Sequence, residues 1–229
     1  MKKYLIKWGF MDTLDLMRRR HSVRQYLSKP IEKEKKEIIN NTINFINQKT
    51  GLNFKACYDE PTAFKSLLAH YGKFKNVNNY IVLAGDKKQE ELVGYYGEIL
   101  VLTTQELGLN TCWVALTYNK KSVNINLGES EKIHCVIALG YGVTPGVQSK
   151  CKEYDEVVKV IGEKPNYLDA GIEACMLAPT AMNQQKFKII CENGKISIKK
   201  SGIGFYTDMD LGIVKCHFEM VTGVDLLNN

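Results

Sequence analysis

The side chains whose types and spacing could do chemistry fall into three stretches. The first is "RRRHSVRQY", residues 18–26. A guanidinium presents its donors in a fixed fork that suits a phosphate. In an extended segment, residues two apart face the same way. Arg20, Ser22 and Arg24 would then line one side of a strand-like loop and grip one anion. The alternative is a solvated basic run ahead of a helix.

The second stretch is "CMLAPTAMNQQKF", residues 175–187. An apolar run meets Pro179 and then the small residues Thr180 and Ala181, which would let a flat ligand approach the backbone. Asn183 and Gln185, again two apart, each carry an amide that both donates and accepts. Such amides can serve the hydroxyls of a polyol chain or the polar edge of a heterocycle. The alternative is a polar loop that feeds the strand "FKIICE". The third stretch is "ELGLNTCWVALTYN", residues 106–119, where a glycine-stopped helix leads into an apolar, nearly extended segment. Its backbone could lie beside a flat ring and offer an N–H. The alternative is that Trp113, Val114 and Leu116 are core.

The elements that must position these stretches can be read from periodicity. Leu92, Val93, Tyr96, Ile99, Leu100, Thr103 and Leu107 keep a helical period, and Gly108 stops it. Helices are also predicted over 12–20, from Ser28-Lys29-Pro30 to residue 48, over "AFKSLLAHYG", over "EYDEVVKVI", over "YLDAGIEACMLA" and over "DMDLGIVKCHFEMVTG". "NFKACYD", "NYIVLAGD" and "KIHCVIALGYG" read as strands. "FKIICENGKISIKK" is a hairpin turned by Asn193-Gly194. There is no strict strand–helix alternation and no G-x-G-x-x-G, so the predicted class is α+β rather than a Rossmann domain.

The chain has 229 residues and a net charge of +6, with 45% hydrophobic and 24% charged residues. A chain of this size buries about 70–75% of its unfolded surface and needs no staples. The mild positive charge favours anionic ligands. There is no zinc-finger spacing and no aromatic RNA-binding signature, so nucleic acid is not an expected partner. Seven cysteines without Cys-x-x-Cys read as reduced, mostly buried thiols of a cytoplasmic protein. No metal site is expected among the four histidines. No apolar run approaches the roughly 18 residues of a membrane span. Residues 1–10 read as an extension, with Met11 as a candidate natural start and one domain over 11–229.

Together, "RHSVRQY", "APTAMNQQKF", "GLNTCWVAL", "ALGYG" and "DLGIVKCHFEM" resemble the nitroreductase family of flavin mononucleotide (FMN) enzymes. The likeness is closest to a thermophilic-bacterial branch and spans about 11–223. It implies a nitroreductase-like fold, with a mixed or antiparallel central sheet flanked by helices. It implies that Arg20, Ser22 and Arg24, with His21 among them, hold the flavin phosphate and reach the pyrimidine edge of the ring. It places Asn183 and Gln185 beside the ribityl chain and ring. The backbone of Trp113, Val114, Ala115 and Leu116 falls near the reactive flavin nitrogen, and Lys150 and Lys152 near a basic phosphate contact. Here the Asn-x-Gln loop comes late in the chain, Lys186 stands where a proline is common, and Phe187 where a tryptophan is common.

The resemblance also implies chemistry. NADH or NADPH would reduce the flavin and leave. A small electron-poor acceptor, a nitroaromatic or a quinone, would then take the electrons at the same face in ping-pong turnover. No side chain need act as a nucleophile; Arg24 would stabilise charge on the reduced ring. A homodimer is implied. Two alternatives stay open: a flavin-reducing or flavin-modifying member of the family, and a flavin- or anion-binding module without turnover.

Overall fold

A computed structural model describes residues 12–65 and 67–227. The expected extension over 1–10 lies outside the described residues. In chain order the elements are α1 (Thr13–Arg19), α2 (Lys33–Thr50), β1 (Asn53–Cys57), α3 (Leu67–Tyr71), β2 (Asn79–Asp86), α4 (Glu90–Glu106), β3 (Asn110–Val114), β4 (Glu131–Gly140), α5 (Tyr154–Val157), β5 (Val158–Ile161), α6 (Leu168–Leu177), β6 (Phe187–Glu192), β7 (Lys195–Lys200) and α7 (Thr207–Thr222). The class is α+β.

The chain divides into two compact units. One comprises Arg19–Gln89 and Leu100–Gln148; the other comprises Glu90–Ile99 with the described parts of Met1–Arg18 and Ser149–Asn229.

The first unit is built on a four-stranded antiparallel sheet of order β1-β2-β4-β3. The central strands β2 and β4 are apolar and buried along nearly their whole length, as strands covered on both faces must be. Val23, Tyr26, Phe64, Phe74 and Tyr118 cluster with Tyr80, Cys112 and Val114 of the sheet. Phe64 is the hub of the aromatic contacts, with ring centroids 5.3 Å from Phe74 and 5.8 Å from Tyr80. Helix α2 buries Ile39, Ile43 and Ile46 and ends on Gly51 in the left-handed region, φ 71°.

The second unit pairs a three-stranded sheet, order β5-β6-β7, with helices α6 and α7 and the start of α4. β6 and β7 form the predicted hairpin, with Asn193 and Gly194 both at positive φ, 47° and 81°. These are the dihedral signs of a tight mirror-image turn. Glycines let the helices approach closely. A Cβ on Gly94 would lie 2.0 Å from the Met209 carbonyl oxygen, and one on Gly212 would lie 1.9 Å from that of Glu91.

Three predicted elements differ from those observed. "EYDEVVKVI" is helical only over Tyr154–Val157; Val158–Ile161 is a strand that pairs in parallel with β6. Its β-branched residues suit a ladder, and the β6 edge supplies one. Helix α2 starts at Lys33, because Pro30 biases its predecessor to extended backbone and Glu32 is itself extended at φ −63°, ψ 149°. "AFKSLLAHYG" divides between a 3-10 turn, Pro61–Phe64, and the short helix α3. Among the described residues, no helix is long and apolar enough to cross a membrane. All seven cysteines are free thiols, and Cys151 alone is exposed.

Candidate cofactor site

The arginine loop is extended, as its spacing predicts. It runs along the outer edge of β3, with Ser22 bridged in parallel to Thr111. Four backbone hydrogen bonds clamp it. Val23 N–H donates to Thr111 O (2.9 Å), Tyr26 N–H to Lys75 O (3.1 Å), Leu27 N–H to Tyr141 O (2.8 Å), and Gln25 O accepts from Val143 N–H (2.9 Å). The Tyr26 hydroxyl ties the loop to itself by donating to Val23 O at 2.6 Å. Gly146, at φ +82°, backs the loop where a Cβ would come 2.7 Å from that of His21.

Side chains along this loop divide between core and surface. Val23 and Tyr26 enter the core, whereas Ser22 and Arg24 are exposed and Arg20 is 8% exposed. Arg20, Ser22 and Arg24 act together on one buried atom, the Cys112 thiol. Burial raises that thiol, while Arg24, Ser22 and Arg20 each act to lower it. Two cations and a hydroxyl thus lie within electrostatic reach of the same β3 residue. Arg18 is not part of this group: it is exposed and paired with Glu173 (2.6 Å) and Asp15 (3.3 Å).

β3 then leaves the sheet. Trp113 is half-buried and Val114 buried, but Leu116 is 70% exposed. The alternative that Leu116 is core is therefore excluded: the segment turns out of the sheet after Val114, which is the last residue paired with β4. Among the described residues, no hydrogen bond is made by the N–H groups of Ala115 and Leu116.

The amide loop, 178–186, belongs to the other unit. After Pro179 and the extended Thr180, Ala181–Asn183 form a 3-10 turn. Met182, Asn183 and Gln185 all have positive φ, at 50°, 54° and 45°. Left-handed backbone costs a residue with a Cβ about 1–2 kcal/mol, so the loop needs strong holds. Gln185 supplies several. It is 3% exposed; its N–H donates to Thr180 Oγ1 (3.0 Å), and its side-chain Nε2 donates to Lys150 O (2.8 Å) and Asn183 Oδ1 (3.1 Å). Its Oε1 accepts from Lys152 N–H at 2.9 Å, and its carbonyl from Lys152 Nζ at 3.0 Å.

Counting donors sorts the predicted residues. Both N–H groups of the Gln185 amide are spent inside the protein. Asn183 donates one to Lys150 O at 2.8 Å and keeps the other; it is exposed. Lys150 is exposed, and Lys152 is half-buried with its ammonium on the Gln185 carbonyl.

Two residues that spacing did not single out complete the loop. Asp210, in the first turn of α7 and 6% exposed, accepts from Ala181 N–H (2.9 Å) and from Gln184 Nε2 (2.8 Å). Burial pushes its carboxyl up to about 6, against the smaller downward pull of Gln184 and Ala181. Gln184 Nε2 also donates to Phe205 O at 2.6 Å. The one sequence signal was an acidic residue between Met209 and Leu211 on an apolar helix.

Residues 12–222 match the family described as "Putative TM nitroreductase". The chain belongs to the nitroreductase family. It is accordingly an oxidoreductase. Two solved structures, each described as a "putative nitroreductase", are similar to it. The one from Thermotoga maritima has 22% identity and a TM-score of 0.65, over 92% of this chain and 83% of that one. The one from Desulfovibrio desulfuricans, in complex with FMN, has 16% identity and a TM-score of 0.51, over 64% of this chain and 94% of that one. At these identities the likeness bears on fold, and it agrees with the α+β nitroreductase architecture. No curated protein matches the chain.

Proposed function

We propose that this nitroreductase-family chain binds FMN and uses NADH or NADPH to reduce small electron-poor acceptors, nitroaromatics or quinones. The observation that carries the reading is the gathering of Arg20, Ser22 and Arg24 on a clamped loop. That donor set fits FMN: the Arg20 guanidinium and the Ser22 hydroxyl suit its phosphate, and the Arg24 guanidinium suits the pyrimidine edge of its ring. The shielded Nδ1 of His21, which has no hydrogen-bond partner among the described residues, also fits a polar ligand there. The exposed Asn183, with one amide N–H to spare, suits the ribityl chain or ring edge. The unpaired N–H groups of Ala115 and Leu116 suit the ring's reactive side.

When bound, FMN supplies the hydride and electron chemistry. The protein's residues bind, orient and tune. Arg24 would supply a positive charge toward the ring, favouring the negative charge that the ring gathers on reduction. Gln185, its donors spent, braces Asn183 and the 150–152 segment. A two-fold homodimer and a cytoplasmic location belong to the same reading, the latter supported by the free thiols.

The test is a spectrum. Purified protein, loaded with FMN if necessary, is expected to be yellow and to bleach on adding NADH or NADPH without oxygen, and to recover with a nitroaromatic or quinone. A chain that takes up no FMN would end the proposal. A yellow chain inert to both donors would leave a binding protein without this activity. Light scattering tests the dimer.

A further inference from the structure

Resting on the flavin reading above, we infer that Asp210 is the positioning residue of the amide loop: its buried carboxylate holds both ends of the 181–184 turn and so sets where Asn183 meets the cofactor. The geometry is specific. One oxygen takes Ala181 N–H at 2.9 Å, where the turn begins, and the other takes Gln184 Nε2 at 2.8 Å, where it ends. Between these two points lie Met182 and Asn183, both at positive φ. A turn of left-handed, non-glycine residues persists only when its surroundings over-determine it. Asp210 is 6% exposed, and both of its oxygens reach across to the loop rather than to the N–H groups of its own helix.

Gln184 has only one way to face. Its Nε2 donates to both Phe205 O and Asp210 Oδ2, so turning the amide over would set oxygen against oxygen twice. Two donors therefore converge on residue 210, and only a group with two acceptor oxygens satisfies both. An asparagine has one. Whichever way it is turned, an NH2 group faces a donor. Burial raises the proton affinity of this carboxyl, against the smaller opposing pull of its hydrogen bonds from Gln184 and Ala181. The nearest acid on the same helix, Asp208, is paired at the surface with Lys200.

The experiment uses the full-length chain in four forms: wild type, Asp210→Asn, Gln184→Ala and the control Asp208→Asn. Backbone amide exchange over 180–185 is followed without flavin, and FMN affinity by fluorescence quenching. Asp210→Asn is expected to speed exchange and weaken FMN binding by about tenfold each, the loss typical of a hydrogen bond to a charged group. Gln184→Ala shifts both in the same direction, and Asp208→Asn shifts neither. The ratio of wild-type to Asp210→Asn affinity should shrink from pH 7.5 to about pH 5, as the wild-type carboxyl takes up its proton. The ratio cancels the ionisation of the FMN phosphate itself. Unchanged exchange in both loop variants would overturn the inference, as would faster exchange with unaltered FMN affinity. Should Asp210→Asn fail to fold, Gln184→Ala decides alone. A wild-type chain that binds no FMN refutes the flavin reading itself, a result visible before any variant is compared.

Discussion

His217 Nε2 lies 3.0 Å from Oε1 of Glu98, and neither side chain reaches solvent. The other ring nitrogen, Nδ1, lies 2.8 Å from Ala174 O, a carbonyl that can only accept. Nδ1 therefore carries a proton, and a second proton must sit between Nε2 and the Glu98 carboxyl. The link joins α4, α6 and α7 within one unit. Replacing His217 by Leu removes the partner of a buried carboxyl oxygen, whereas Glu98→Gln can turn its NH2 toward a neutral imidazole. The expected loss is about 3–5 kcal/mol for His217→Leu, with a smaller loss for Glu98→Gln. Urea unfolding of both variants would show a reversed order if the proton assignment is wrong.

The crossing of α4 and α7 makes a second prediction. By helix propensity alone, Gly94→Ala and Gly212→Ala should each stabilise, by up to about 1 kcal/mol. Packing reverses the sign. Each new Cβ would lie 1.9–2.0 Å from a carbonyl oxygen of the facing helix, and backbone has no rotamer by which to yield. Both variants are expected to lose about 3 kcal/mol or more. At Gly51 nothing lies within 4 Å, so Gly51→Ala is expected to lose only its left-handed backbone preference, about 1–2 kcal/mol. Thermal melts that rank Gly51→Ala below the other two would contradict this packing.

The same contrast explains what was legible beforehand. The arginine loop was readable because extended backbone with exposed Ser22 and Arg24 around the buried Val23 is a local pattern. The long helix α4 and the Asn193-Gly194 hairpin are likewise written in short-range pattern. The Asp210–Gln184 link was not, since its partners lie 26 residues apart and an acid in a first helical turn is ordinarily a dipole partner. The internal holds of Gln185 were hidden for a related reason. An amide's type shows what it can bond to, not whether the protein has already taken its donors. β5 was lost because four β-branched-rich residues become a strand only when β6 offers an edge.

Asp210 should leave a signature in stability against pH. Burial raises its carboxyl from 3.8 to about 6 in the folded protein. Between those values the folded chain binds more protons than the unfolded one, so stability falls as pH rises through the window. The contribution of the protonated acid is complete below pH 4 and gone above about 7. Its size is at most about 3 kcal/mol. Relative to wild type, Asp210→Asn should therefore gain stability steadily from pH 4 to pH 7, although its loop is looser. A flat difference across that range would mean the carboxyl titrates as if exposed.

Arg20 and Arg24 belong to one loop but differ in exposure, and that difference separates their roles. Arg20 is buried and fixed, the condition for an anchor; Arg24 is exposed and so able to lie against a bound ring. Under the FMN proposal, Arg20→Ala should release cofactor. Loss of a charge-assisted contact of about 1.5–3 kcal/mol corresponds to roughly ten- to hundredfold weaker FMN binding. Arg24→Ala should instead retain most of its flavin but make it harder to reduce, because the positive charge that favours the anionic reduced ring is gone. Riboflavin, which lacks the phosphate, offers the decisive comparison. It should bind wild type and Arg20→Ala alike, while its potential should still shift in Arg24→Ala. If Arg20→Ala weakens riboflavin as much as FMN, the residue does not hold the phosphate. If the potential of Arg24→Ala matches wild type, the charge of Arg24 does not reach the ring.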